Sequence, residues 1–158
     1  MTDREMLRHT LATLAYRGGK VVRGAPDRFA DFKTEADIRT PGQILAHVSD
    51  LLDWALELAE GRPTWHDSPP RSWPEEVGRF FEALARLDAR LAAEAPLVTF
   101  TAPQLFQGPI ADALTHVGQI AMLRRMFGSP VRGENYLRAE IVAGRVGPDQ
   151  SPPRREFD

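Results

Sequence analysis

Apolar residues recur at intervals of three and four in four stretches of the chain, each bounded by helix start and stop signals. The first stretch predicts a helix over about residues 3–22, with Leu7, Leu11, Leu14 and Gly18 on one stripe. Thr2 and Glu5 have capping-box spacing at its start. Gly18-Gly19 either weakens the helix near its end or lets a neighbour come close. The second helix is expected over about 41–60. Thr40 is its N-cap, Pro41 suits the first helical position, Gln43 completes a capping box, and Gly61 and Pro63 end it. It carries two apolar stripes: Ile44, Leu51, Trp54 and Leu58, and, nearly opposite, Leu45, Leu52 and Leu56.

The third helix is expected over about 73–94, with Val77, Phe80, Phe81, Leu84, Leu87 and Leu91 as its apolar stripe. Ser72 and Glu75 have capping-box spacing, and Ala95-Pro96 stops it. The fourth is expected over about 108–127, ended by Gly128 and Pro130. It too has a second apolar face, made by Ile110, Leu114, Val117 and Ala121. Apolar surface on two sides of the second and fourth helices predicts a homodimer formed through those faces. Pro- and Gly-rich connectors occupy 23–40, 61–72 and 95–107, and residues 133–158 form an irregular tail. Within it, Leu137–Val142 reads as a strand or a helical turn. The expected fold class is all-α: a helical domain over residues 1–132 with the tail, 133–158, packed on it.

Composition narrows the functional classes. The 158 residues, 42% apolar, suffice for a real core. The absence of cysteine excludes disulfides and thiolate metal sites and fits a cytoplasmic setting. A formal net charge of −2 with no basic block argues against nucleic acid. The first residues, MTDREMLRHT, carry no apolar leader core, and no apolar run approaches the roughly 20 residues needed to span a bilayer. No P-loop, dinucleotide fingerprint, H-E-x-x-H or G-x-S-x-G motif occurs.

The polar residues on the apolar stripes carry the chemistry. Asp112 and His116, four apart, share a helix face with Ile120, Leu123 and Phe127, so that face is expected to point inward. His47 shares the stripe of Ile44, Leu51, Trp54 and Leu58 on the second helix. Bundles build metal sites from inward ligands on facing helices. Two histidines and a carboxylate suit zinc, nickel, iron(II) or manganese, with at least one position open. Gln119 and Asp50 are placed to hydrogen-bond a ligand or orient an imidazole, and Thr115 lies at the edge of the face. A plainer reading also exists. A carboxylate–histidine pair four apart is worth only about 0.2–0.5 kcal/mol as a local helix pair, and Asp112 near a helix start complements the dipole. His9 and His66 are expected to be exposed, Trp54 to belong to the core, and Arg124 and Arg125 to make surface or interface ion pairs.

The segment RTPGQILAHVSDLLDWAL, followed some sixty residues on by DALTHVGQIAMLRRM, resembles the DinB/YfiT superfamily. Thr40-Pro41 and His47 match the first region of that pattern, and His116, Gly118, Gln119 and Ile120 match the second. The resemblance covers about residues 1–130. It implies a four-helix bundle with a long connection between helices two and three, often a homodimer, and a zinc or nickel ion held by His47, Asp112 and His116. At Asp112 the chain departs from the commoner pattern, in which a histidine stands there. Some relatives, including the mycothiol-dependent maleylpyruvate isomerase branch, carry a carboxylate at that point. Two functional expectations follow from the resemblance. One is a metal-dependent thiol S-transferase or hydrolase with a low-molecular-weight thiol or another small molecule as ligand. The other is a non-catalytic metal-binding or stress-associated dimeric bundle.

Overall fold

The computed structural model describes residues 1–157. The chain is mostly helical, with α1 (Asp3–Val22), a 3-10 turn (Asp27–Asp31), α2 (Pro41–Ala59) and α3 (Trp73–Ala92). A continuous helical run follows: α4 (Ala102–Leu105), a π turn (Phe106–Ile110) and α5 (Ala111–Phe127). The tail adds β1 (Gly133–Glu134), a 3-10 turn (Tyr136–Arg138) and β2 (Glu156–Phe157), the two strands pairing antiparallel. The expected segment Leu137–Val142 thus contributes part of a turn, and the strands lie on either side of it.

Local signals set most boundaries. Thr2 and Glu5 cap α1 reciprocally, as Thr40 and Gln43 cap α2. At α3 the Glu75 carboxylate accepts from the Ser72 N–H at 3.1 Å and from the Ser72 hydroxyl. The last helical run departs from expectation: it begins at Ala102, capped by Thr101 and Gln104, rather than near residue 108. Pro103 sits in the first turn, where its missing N–H costs nothing. Pro109 would break an α-helix there, and the chain widens into a π turn instead, with Ala111 N–H reaching back to Phe106 O.

α2 is the most deeply enclosed helix. It packs against both α3 and α5, and α1 packs against the same two helices from the other side. Ile44, Leu45, Val48, Leu51, Leu52 and Ala55 are all buried. The second α2 stripe, through Leu45 and Leu52, is therefore covered within a single chain. On α5, Ile110 and Val117 are likewise buried. Leu56, Leu114 and Ala121 on the same faces are partly buried. The connection between α2 and α3 spans residues 60–72, while the one between α1 and α2, residues 23–40, is longer and holds the 3-10 turn.

Two polar devices lock the ends together. Arg124 is buried rather than on the surface, and makes main-chain contacts where ion pairs were expected. It donates to Val21 O at 3.1 Å, Arg23 O at 2.6 Å and Ser129 O at 2.8 Å, satisfying carbonyls at the α1 C-terminus and the turn after α5. The tail is held by the buried Glu134, which accepts from Tyr16 OH at 2.6 Å and Lys20 Nζ at 2.7 Å. Lys20 also reaches Glu156 at 2.9 Å, so one cation joins α1 to both strands.

Gly18 is the point of closest approach between α1 and α3. A Cβ there would lie 2.5 Å from Cζ of the fully buried Phe80. Gly78, also helical, faces open space. Gly18→Ala is expected to destabilise the fold by about 1–3 kcal/mol through overpacking. Gly78→Ala is expected to stabilise it by about 0.4–1 kcal/mol through helix propensity and reduced unfolded-state entropy. Urea denaturation of the two variants checks the contrast.

Candidate metal centre

His47 projects from α2 toward Asp112 and His116 on α5. His47 Nε2 lies 3.8 Å from Asp112 Oδ2, and His116 Nε2 lies 3.4 Å from Asp112 Oδ1. The two imidazoles meet edge to face with centroids 4.8 Å apart. One ligand atom from each residue falls within 4.8 Å of the others. Four donors at zinc-like distances around a tetrahedral ion are separated by about 3.4 Å. The triad therefore stands close to the spacing a bound ion would demand, with small side-chain adjustments left to close it.

The face carrying Asp112 and His116 is a rim, not the inward surface expected. Ala113, Val117, Ile120 and Leu123 enter the core, whereas His47 and His116 are partly buried and the Asp112 side chain is 48% exposed. Ile120 and Leu123 are buried, and the polar residues Asp112, Thr115 and Gln119 beside them are exposed. Asp112 opens onto a groove of about 450 Å³ bordered by Leu51, Trp54, Gln107 and Thr115. Asp112 also sits well inside a continuous helical run that begins at Ala102. It is not at a free helix N-terminus, so dipole complementarity does not account for it.

Gln119 is placed as the spacing predicts. Its Oε1 lies 2.8 Å from His116 Nδ1, in place to accept from Nδ1–H, while Nε2 faces Asp112. Thr115 Oγ1 donates to the Asp112 carbonyl at 2.7 Å and lies 3.4 Å from Oδ1. Asp50 is a correction: it does not hydrogen-bond His47. Its buried carboxylate accepts from Ser68 N–H at 2.8 Å and from the Arg79 guanidinium, which also reaches Asp53 at 3.2 Å. A buried carboxylate one turn from His47 meets a strong fork donor on α3 before it can meet an imidazole.

Asp50 acts on the site indirectly. By holding Ser68 it draws residues 60–72 across α2, and Trp65 in that segment stacks edge-on against His47 (5.6 Å) and Trp54 (5.8 Å). Trp54 is half-buried and lines the groove, so it is both core and wall. Trp65 and Arg39 border the site without having been singled out, because both lie in connectors with no periodicity to place them. His9 and His66 are exposed, as expected, and stand outside the triad.

Burial pushes the His47 imidazole below its ordinary value, and the charges of Arg39 and His116 push the same way. Asp112 and Asp50 oppose them. The result favours neutral imidazole, the form that ligates a metal.

Comparison with protein-family models, with curated proteins and with solved structures finds no match to this chain. Among the described residues, no helix is long and apolar enough to cross a membrane.

Two predictions follow from the geometry. In metal-free protein, NMR titration is expected to place the His47 pKa below 6.5, and Arg39→Gln is expected to raise it. Because the folded value is depressed, the unfolded chain binds more protons as pH falls below 6.5, so His47 contributes stability at neutral pH that is lost on acidification. Asp50→Ala leaves Arg79 with Asp53 and Glu76 but removes the acceptor of Ser68 N–H, and is expected to cost about 1–3 kcal/mol in denaturation.

Proposed function

We propose that this chain is a divalent-metal-binding four-helix bundle of the DinB/YfiT type, acting as a metal-dependent enzyme on a small molecule, with thiol S-transfer as the favoured reaction. His47, Asp112 and His116 hold the ion; their donors suit zinc, nickel, iron(II) or manganese, and the family resemblance favours zinc or nickel. The observation that carries the reading is the convergence of three ligand atoms from two helices within 4.8 Å, beside a groove open to solvent. A bound divalent ion supplies Lewis acidity: it lowers the pKa of a coordinated water to about 7 and deprotonates a coordinating thiol.

The chain's own residues prepare for that chemistry. Gln119 fixes the His116 tautomer and ring plane. Trp65 covers one side of His47 and packs on Trp54, a wall of Asp112's groove. Asp112, the most exposed of the three, keeps the centre accessible. Thiol transfer is preferred to hydrolysis because no general base stands apart from the triad, Asp50 being committed to Arg79 and Ser68.

Metal analysis of protein purified without an affinity tag tests the reading. Wild type is expected to retain about one ion per chain. His116→Ala is expected to lose it, and Gln119→Ala to bind it about 10–100-fold more weakly. Equally little metal in wild type and His116→Ala would sink the proposal. If metal binds but no thiol perturbs the spectrum of the cobalt-substituted protein, the non-catalytic metal-binding reading replaces the enzyme.

A further inference from the structure

The geometry points to a small organic anion with an apolar body as the ligand of this centre, its carboxylate held by Arg39. The inference rests on the metal-centre reading for its chemistry, but the binding site itself is built from other residues. Arg39 lies at the end of the long α1–α2 connection, just ahead of the Thr40 cap, and borders two cavities at once. One, of about 200 Å³, is polar and contains His47 with Gln43, Asp67 and Ser68. The other, of about 300 Å³, is mostly apolar and runs along Ile38, Ile44, Met122 and Leu123 to Gln119, the residue that orients His116. The guanidinium thus stands where a polar space touching one metal ligand meets an apolar space touching the support of another.

Arg39 brings an unspent charge to these two cavities. Arg8, Arg62, Arg79, Arg86, Arg90 and Arg154 are each paired with a carboxylate. Arg39 is exposed and makes no ion pair or hydrogen bond among the described residues, although Asp67 borders the same cavity. Two of the other polar groups there are already engaged: Gln43 Oε1 accepts from Thr40 N–H, and Ser68 N–H donates to Asp50. Arg39 is the guanidinium in both linings, a permanent cation able to meet an anion, and its planar fork suits a carboxylate. The adjoining cavity wants an apolar body, since Ile38 and Met122 are 45% and 59% exposed and Ile44 and Leu123 form its buried floor. Its volume matches a phenyl or short alkyl group.

The test compares 3-phenylpropionate with its uncharged amide, 3-phenylpropanamide, by titration calorimetry on metal-loaded and metal-free full-length protein. Wild type is expected to bind the acid about tenfold more tightly than the amide, as a charge-assisted hydrogen bond allows. Arg39→Gln is expected to abolish that preference while leaving amide binding, circular dichroism and metal content unchanged. Equal affinity for acid and amide in wild type overturns the proposal. So does an acid preference that survives Arg39→Gln and disappears with His116→Ala, because the carboxylate would then be a metal ligand. Loss of metal retention with the Arg39-dependent preference intact would reject the metal reading and leave this site standing.

Discussion

The carboxylate of Asp50 is buried inside α2 and has to be paired, because an unpaired buried charge costs several kcal/mol. Both of its oxygens are engaged, one by Arg79 from α3 and the other by Ser68 N–H from the connection that follows α2. This arrangement couples two elements that hydrophobic packing alone would leave free to slide. It fixes α3 against α2, and it brings the Pro-rich segment back over the helix so that Trp65 closes one side of His47. The candidate metal centre therefore depends on a polar interaction that contributes no ligand to it.

A second constraint comes from proline. Pro109 cannot donate to a carbonyl four residues back, and the helix accommodates it by widening for one turn rather than by breaking. The consequence reaches the site. α5 is continuous with the short helix before it, so Asp112 stands mid-helix and half-exposed, bonded locally by Thr115. A carboxylate there has no dipole to complement, and its nearest ionisable partners are the two imidazoles. At the opposite end of the molecule, Arg124 and the Tyr16–Glu134–Lys20 cluster perform a comparable task, satisfying helix-end carbonyls and pinning the tail to α1.

Residues close in the chain were legible in the sequence because their chemistry is local. The Thr2–Glu5 and Thr40–Gln43 caps, the stop at Gly128, and the stripe Phe80–Leu84–Leu87–Leu91 follow from helical period and orphan backbone groups. So does the Gln119–His116 bond, which spans a single turn. The convergence of His47 with Asp112 and His116 was anticipated from matching stripes on two helices, but not its depth. Periodicity says which residues share a face; it does not say whether that face ends in the core or at its rim.

The sequence by itself determined where the first three helices start, which side chains each helix presents together, and that the metal-ligating types available are histidine and carboxylate without thiolate. Only the tertiary structure decided how those faces are spent. It covered both stripes of α2 within one chain, gave Asp50 to Arg79 instead of His47, buried Arg124 against main-chain carbonyls, and set Trp65 and Arg39 beside the triad. The physical reason is that long-range partners are chosen by competition. A buried charge takes the strongest donor within reach, and which donor lies within reach is fixed by packing, not by spacing along the chain.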